Sequence, residues 1–482
     1  MLETKGYTGH MSPSIFWYDF ETTGTDPVMD RPVQFAGVRT DLDLNQIDDP
    51  VNLYGCPGDD VIPNPEAILV TGLSMLKLQS TGLSETRFCQ QVLSHFLEPE
   101  TCVAGYNSIR FDDEFTRQMC YRNFQDPYAR EWRQGNSRWD VIDLFRMAFA
   151  LRPDGLQWPM DDHGTPVFRL GALTEANGIK HDAHDAVSDV LATVELTGLL
   201  RKRQPKLFSF LFMLRQKKEL ISQLYPLGKS PIVHVSSMYG ARRACLAITL
   251  PICSHPDNSN GIICFDLSSE TETLINASAE EIARLVFTST RDLEDGEKRI
   301  PLKTIHLNRC PAIAPLSTLS EHDEMRLGID LALCKKRFRQ LQTTSGLVEK
   351  VSDAFARRDF AETSDPDHML YQGGFTDPVD RATMEQIHQS EVGQLHTFNG
   401  RFHDDQFDEL LFRFRARNYP DSLSPDEKDR WHKFRKTRWQ GGNQIRKVMD
   451  EIDRLLTTHG ESDCLRDLKS YLTKIGATAG VL

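Results

Sequence analysis

Apolar and polar positions follow two rhythms along this chain of 482 residues. Over the first two hundred residues, short runs with a two-residue period alternate with stretches in which apolar residues recur every three or four positions. Residues 15–22 and 34–40 read as strands, and a third apolar run at 102–106 leads into Asn107. Helical patterns follow at 112–123, 139–150, 170–177 and 185–203. In the last, Val187, Val190, Leu191 and Val194 recur at helical spacing, with Asp185 placed as an N-cap. This alternation predicts an α/β domain with a mixed sheet, interrupted at Gln204-Pro205.

The rhythm then changes. Short strand patterns at 232–235, 246–252, 261–267 and 303–307 are separated by Pro, Asn and Gly, with one helical insert near 279–286. That predicts a small antiparallel β domain. After Glu321 the pattern is helical to the end, with breaks near 363–366 and 419–425. At about 150 residues per domain the length allows two or three domains. Three spans are expected: 13–200, 201–355 with a helical linker, and 356–482.

Composition narrows the class. A chain that is 39% hydrophobic and 26% charged is neither disordered nor fibrous. No apolar run approaches the roughly 18 residues of a membrane span, and no secretory signal is visible at the N-terminus. Ten scattered cysteines without a Cys-x-x-Cys pair read as free thiols of a reducing cytoplasm. The net charge of −13 hides an asymmetry: residues 1–200 carry 15 Lys/Arg against 30 Asp/Glu, whereas residues 201–250 carry 10 against the single acid Glu219. A polyanion repelled by the first segment is drawn to the second, although a solvated basic helix face has the same composition.

The sharpest motif is Phe16-Trp17-Tyr18-Asp19-Phe20-Glu21-Thr22. Asp19 and Glu21 are two apart on a strand, so both leave the same face. A charged pair on an otherwise apolar strand is costly unless something compensates it, and a divalent cation would. A second acid, Asp112, stands where a strand gives way to a helix that begins Asp112-Asp113-Glu114; taken alone, such acids also complement a helix dipole. The third piece is His184-Asp185-Ala186-Val187-Ser188-Asp189. Five residues turn about 500° on a helix, which puts His184 just before the helix and Asp189 one turn inside it. A histidine in a loop suits a proton carrier, with His181 as a rival.

In order and spacing these pieces resemble the histidine-containing branch of the DEDD-type 3′→5′ exonuclease superfamily. Asp19, Glu21, Asp112 and Asp189 match its four acids and His184 its histidine. Further stretches narrow the resemblance: Asp-Arg-Pro-Val-Gln-Phe-Ala (30–36), Gly-Tyr-Asn-Ser-Ile-Arg-Phe-Asp-Asp-Glu (105–114), Tyr-Arg-Asn-Phe-Gln-Asp-Pro-Tyr-Ala (121–129), Asn-Ser-Arg-Trp-Asp (136–140) and Phe-Arg-Ala-Arg-Asn-Tyr-Pro (414–420) look like the bacterial exonuclease I family. The resemblance implies an RNase H-like exonuclease domain with a mixed sheet, an SH3-like β domain and a helical C-terminal domain.

It also implies a chemistry. Two Mg²⁺ ions, with Mn²⁺ as a plausible substitute, would sit among the four acids, Asp19 bridging both. His184 would take the proton of the attacking water, and single-stranded DNA would be cut processively from its free 3′ end to 5′-mononucleotides in repair and recombination. By the same resemblance Arg117, Arg146 and Arg169 line the nuclease cleft and Tyr128 and Trp132 offer stacking faces. Glu21 also contacts the substrate, and Lys217, Asn260, Phe287, Lys303 and Asn308 touch the strand on the β-domain side. Phe287 is equally at home in a core. A monomer is expected, docking the tail of single-stranded DNA-binding protein. An RNA or proofreading exonuclease on the same fold would need far less chain, and an inactive single-strand binder would not need all four acids.

Overall fold

The structure is a computed structural model that describes residues 12–182, 185–357, 363–372, 376–440 and 443–481. The chain packs as two compact units whose bounds cut across the three consecutive spans. The first unit takes residues 1–137, 182–191 and 362–482, and the second takes 138–181 and 192–361.

In the first unit, strand β1 (Ser14–Thr22) pairs antiparallel with β2 (Pro32–Thr40) and parallel with β4 (Thr101–Gly105), while β2 carries the short strand β3 (Val51–Tyr54) on its other edge. The sheet is therefore mixed, as the alternation of patterns predicts. Strand β1 is central, so both its edges are paired. Phe16, Tyr18 and Phe20 point to one face and meet Phe35, Phe88, Val92, Phe96, Val103 and Met119 in a buried aromatic cluster. Truncating one of these rings to alanine would cost about 3–5 kcal/mol. The helices Pro65–Thr71, Met75–Thr81 and Glu85–Phe96 were not anticipated from the pattern. Helices near the C-terminus, Gln444–His459 and Asp463–Thr478, bury Ile452, Leu455, Leu468 and Leu472 in one cluster with Val33, Ile68, Met75 and Leu78.

The chain enters the second unit inside β5 (Ser137–Asp140). Helix was expected from Trp139 onward, but a strand runs to Asp140 and the helix is Ile142–Leu151. Asp140 makes the switch by accepting the Ile142 N–H at 3.0 Å. Trp139 is buried edge-on against Phe208 and Phe212, a tertiary contact that overrides its helical spacing.

An antiparallel five-stranded sheet follows in this unit. It is formed by β6 (Ile232–Val235), β7 (Leu246–Ser254), β8 (Gly261–Asp266), β9 (Leu302–His306) and β10 (Ala312–Pro315), in the order β10-β6-β7-β8-β9. The expected helical insert is Ala279–Phe287. The break expected at Gln204-Pro205 is a junction between two helices, the first ending at Arg203 and the second, Pro205–Met213, opened by the proline. None of the ten cysteines is in a disulfide, and no helix among the described residues is long and apolar enough to cross a membrane.

Candidate active site

Strand β1 places Trp17, Asp19 and Glu21 on the face opposite the aromatic cluster, because side chains alternate along a strand. Beyond Trp17 the parallel partner β4 runs out, since its last residue, Gly105, leads into a tight turn. A side chain at Gly105 would stand 2.8 Å from the Ser108 Cβ and 3.0 Å from the Tyr18 carbonyl, so glycine is required there. Asn107, in the left-handed region at φ 61°, completes the turn into the helix Asp112–Arg122. The turn delivers Asp112 to the Phe20 N–H, which donates to Asp112 Oδ1 at 3.1 Å. Asp113 beside it accepts from the Tyr18 hydroxyl at 2.8 Å and from Arg130 at 2.6 Å.

Asp189 arrives from far along the chain, in the first turn of the helix Ala186–Arg203. Asp185 caps that helix as expected, accepting the Ser188 N–H at 2.8 Å. One carboxylate oxygen each from Asp19, Glu21 and Asp189 lie within 4.8 Å of one another. Asp112 is outside this trio but acts on it electrostatically. Burial, then the charges of Asp112 and Asp189, push the Asp19 carboxyl well above its ordinary range. Burial, then Asp19, Asp189 and Asp185, push Glu21 up to about 9. Neither Asp19 nor Glu21 forms an ion pair among the described residues. A half-buried set of hard oxygen donors of like charge fits a divalent cation.

His184 lies outside the described residues. His181 has its Nδ1 2.9 Å from the Thr174 hydroxyl oxygen. In the same unit as the acids, Arg117 is buried between Glu114 (2.9 Å) and Glu131 (2.8 Å), with its guanidinium 5.3 Å from the centre of the Tyr128 ring. Trp132 is 63% exposed. The remaining candidates belong to the second unit. Lys217 donates to Asn260 Oδ1 at 2.5 Å, joining two candidates 43 residues apart. Lys303 holds its ammonium 4.6 Å from the Tyr239 ring centre, and Asn308 accepts from Arg138 through its carbonyl. Phe287 is 37% exposed and edge-on to Phe355, so it is not a core residue. Arg146 pairs with Asp143 at 2.6 Å, while Arg169 is exposed at the start of the helix Leu170–Ala176. Sequence reasoning missed Asp113, Glu114, Arg130 and Asp185 as parts of this site. Asp113, Glu114 and Asp185 stand inside the motifs above and Arg130 one residue past the stretch 121–129, but Tyr18 and Tyr371, which meet Asp113 and Glu114, lie 95 and 257 residues away along the chain.

Carboxylates from a central strand and from the first turns of two helices, gathered at one point, fit a nuclease of the exonuclease class. A family described as "Exonuclease" matches residues 16–197, "Exonuclease I SH3-like domain" matches 215–357 and "Exonuclease I C-terminal domain" matches 364–475. The chain belongs to the exonuclease I family. It is 41% identical to exodeoxyribonuclease I of Haemophilus influenzae over 93% of this chain and 95% of that one. It is also similar to the crystal structure of Escherichia coli exonuclease I in complex with a dA16 oligonucleotide, with 38% identity and a TM-score of 0.92 over 96% of this chain and 100% of that one. A structure described as SSB/exonuclease I with an inhibitor matches at 37% identity and a TM-score of 0.89, over 96% and 100% of the two chains. The fold is thus an exonuclease domain with a mixed sheet, an SH3-like domain and a helical C-terminal region.

Proposed function

We propose that this protein is a 3′→5′ exodeoxyribonuclease that degrades single-stranded DNA to 5′-mononucleotides. The observation that carries the reading is the Asp19, Glu21 and Asp189 trio, with Asp112 beside it, in a chain similar over its whole length to enzymes named exodeoxyribonuclease I. Asp19, Glu21, Asp112 and Asp189 would hold Mg²⁺. A bound pair of such ions polarises the phosphate and makes water a nucleophile near neutral pH. The chain's own contribution is to keep the four carboxylates fixed: Asp112 by the Phe20 N–H, Asp189 by a capped helix, Asp19 and Glu21 by a strand held on both sides. His184 would accept the proton of the attacking water, worth roughly 10²–10⁴ in rate.

Tyr128 and Trp132 would stack on bases near the 3′ end, with Arg117 behind Tyr128. Arg146 and Arg169 would line the nuclease cleft, and the Lys217, Asn260, Phe287, Lys303 and Asn308 set would touch the strand further on. A basic segment next to an acidic one favours this division of labour. We also place the enzyme in the cytoplasm, acting as a monomer and processively in DNA repair. We read the tail of single-stranded DNA-binding protein as a docking partner.

In the deciding experiment, a 3′-labelled single strand is incubated with and without Mg²⁺, beside its RNA equivalent. Mononucleotide should appear only from DNA and only with the metal. Asp19→Ala should abolish release, because stabilisation by bound metal is worth several kcal/mol, while strand binding stays near wild type. Activity of the variant within about tenfold of wild type would rule out Asp19 as a ligand, since a lost ligand costs far more.

A further inference from the structure

Tyr371 reaches the nuclease face from the C-terminal region, in the loop after the 3₁₀ turn Pro366–His368. Its hydroxyl donates to a carboxylate oxygen of Glu114, 257 residues earlier, and accepts from Arg117 Nη1 at 3.4 Å. Glu114 stands two positions after Asp112 in the same first helical turn. Arg117 is the guanidinium that lies over the Tyr128 ring. Two tyrosines therefore share one guanidinium: Tyr128 through its face and Tyr371 through its hydroxyl.

The ring of Tyr371 is not a core residue, for the side chain is 56% exposed. A tyrosine whose hydroxyl is tied down while its ring stays in water has lost rotational freedom without burying apolar surface. That arrangement suits a stacking platform, because the ordering cost is met before the ligand arrives. The charges point to the same ligand. Glu114 and Glu131 already pair with Arg117, so that guanidinium is largely neutralised towards a phosphate, whereas a neutral base needs no charge.

We propose that Tyr371 is a strand-positioning residue that stacks on a nucleobase near the 3′ end, held in place by Glu114 and Arg117. The proposal rests on the reading that the strand runs past Tyr128. Any base would be accepted, since every base offers a π face.

The test uses the full chain and 2-aminopurine placed in turn at each of the last few nucleotides of a single strand, with binding read in EDTA and turnover read in Mg²⁺. Tyr371→Ala should weaken binding and raise KM by roughly 5- to 100-fold with kcat little changed, as for a lost base stack. It should also relieve the quenching of 2-aminopurine at one position. Tyr371→Phe keeps the ring and should keep most of the quenching. Tyr128→Ala is the parallel arm. If Tyr128→Ala weakens binding and Tyr371→Ala does not, Tyr371 is not a platform and the path of the strand stands. If neither does, the strand does not run past this corner and both readings fall. Equal losses in Tyr371→Phe and Tyr371→Ala would show that only the hydroxyl tether matters. A lower melting temperature with unchanged KM would show a purely structural contact. Either result overturns the proposal.

Discussion

Two clusters of buried charge in the same unit behave in opposite ways. In one, Asp60 and Asp367 share Arg417, at 2.9 and 2.7 Å, and Asp367 also takes Arg413 at 2.8 Å. Glu85 pairs with Arg122 at 2.8 Å, and Arg31 lies 3.5 Å from Glu85 and 3.7 Å from Asp60. Burial alone would raise these carboxyls, but Arg417, Arg31 and Arg438 overcome it and hold Asp60 far below its usual range. Arg122 and Arg31 lower Glu85 in the same way. In the other cluster, Asp19 and Glu21 are buried with acids only, and both are raised. Burial acts in the same direction in both clusters, and the sign of the neighbours decides the outcome. The first cluster is internally compensated and joins residues near the N-terminus to the C-terminal helices. The second is left uncompensated, which costs stability and reserves the place for a cation.

The largest expected effect that tests this contrast is on the paired cluster. Arg417→Met leaves Asp60 and Asp367 buried without their shared partner and should cost about 3–5 kcal/mol of folding stability. Urea unfolding would measure it. Loss of less than about 1 kcal/mol would mean that the network is as slack as a surface pair. Affinity for Mg²⁺ should not change. On the uncompensated side the sign reverses. Asp19→Asn should stabilise the metal-free protein by about 0.5–2 kcal/mol, because it removes a charge the fold disfavours. Mg²⁺ should raise the melting temperature of the wild type, and the same change should abolish that rise. Destabilisation in EDTA would show that Asp19 is compensated by some other group.

A third contrast is in pH dependence. The fold holds the Glu21 proton up to about 9, whereas an unfolded chain releases it near 4.5. Without metal, stability should therefore fall as pH climbs from 4.5 towards 9, and saturating Mg²⁺ should flatten that slope. Asp60, Asp367 and Glu85 are shifted down, so the stability they add is present above their ordinary values and lost as pH falls below them. Melting temperature across a pH series, in EDTA and in Mg²⁺, would show both limbs. A metal-free slope that Mg²⁺ leaves unaltered would break the assignment of Glu21.

Much of the acidic cluster was legible because it depends on local geometry. A two-residue period puts Asp19 and Glu21 on one face whatever surrounds the strand, and an acid before a helical pattern makes Asp185 a cap. The paired cluster was not legible. Arg417 and Asp60 are 357 residues apart, and nothing in either neighbourhood names the other. Trp139 shows the limit from the other side, since its helical spacing was real and a contact with Phe208 and Phe212 outweighed it.

By itself, the sequence determined which residues share a face, where helices begin and which acids stand at strand and helix ends, since these follow from backbone periods and from hydrogen bonds a few residues long. Tertiary structure alone decided which charges meet. It paired Arg417 with Asp60 and Asp367, tied Tyr371 to Glu114, joined Lys217 to Asn260, and left Asp19 and Glu21 among acids. A pKa depends on distances of a few ångströms between groups hundreds of residues apart, and only the packed chain sets those distances.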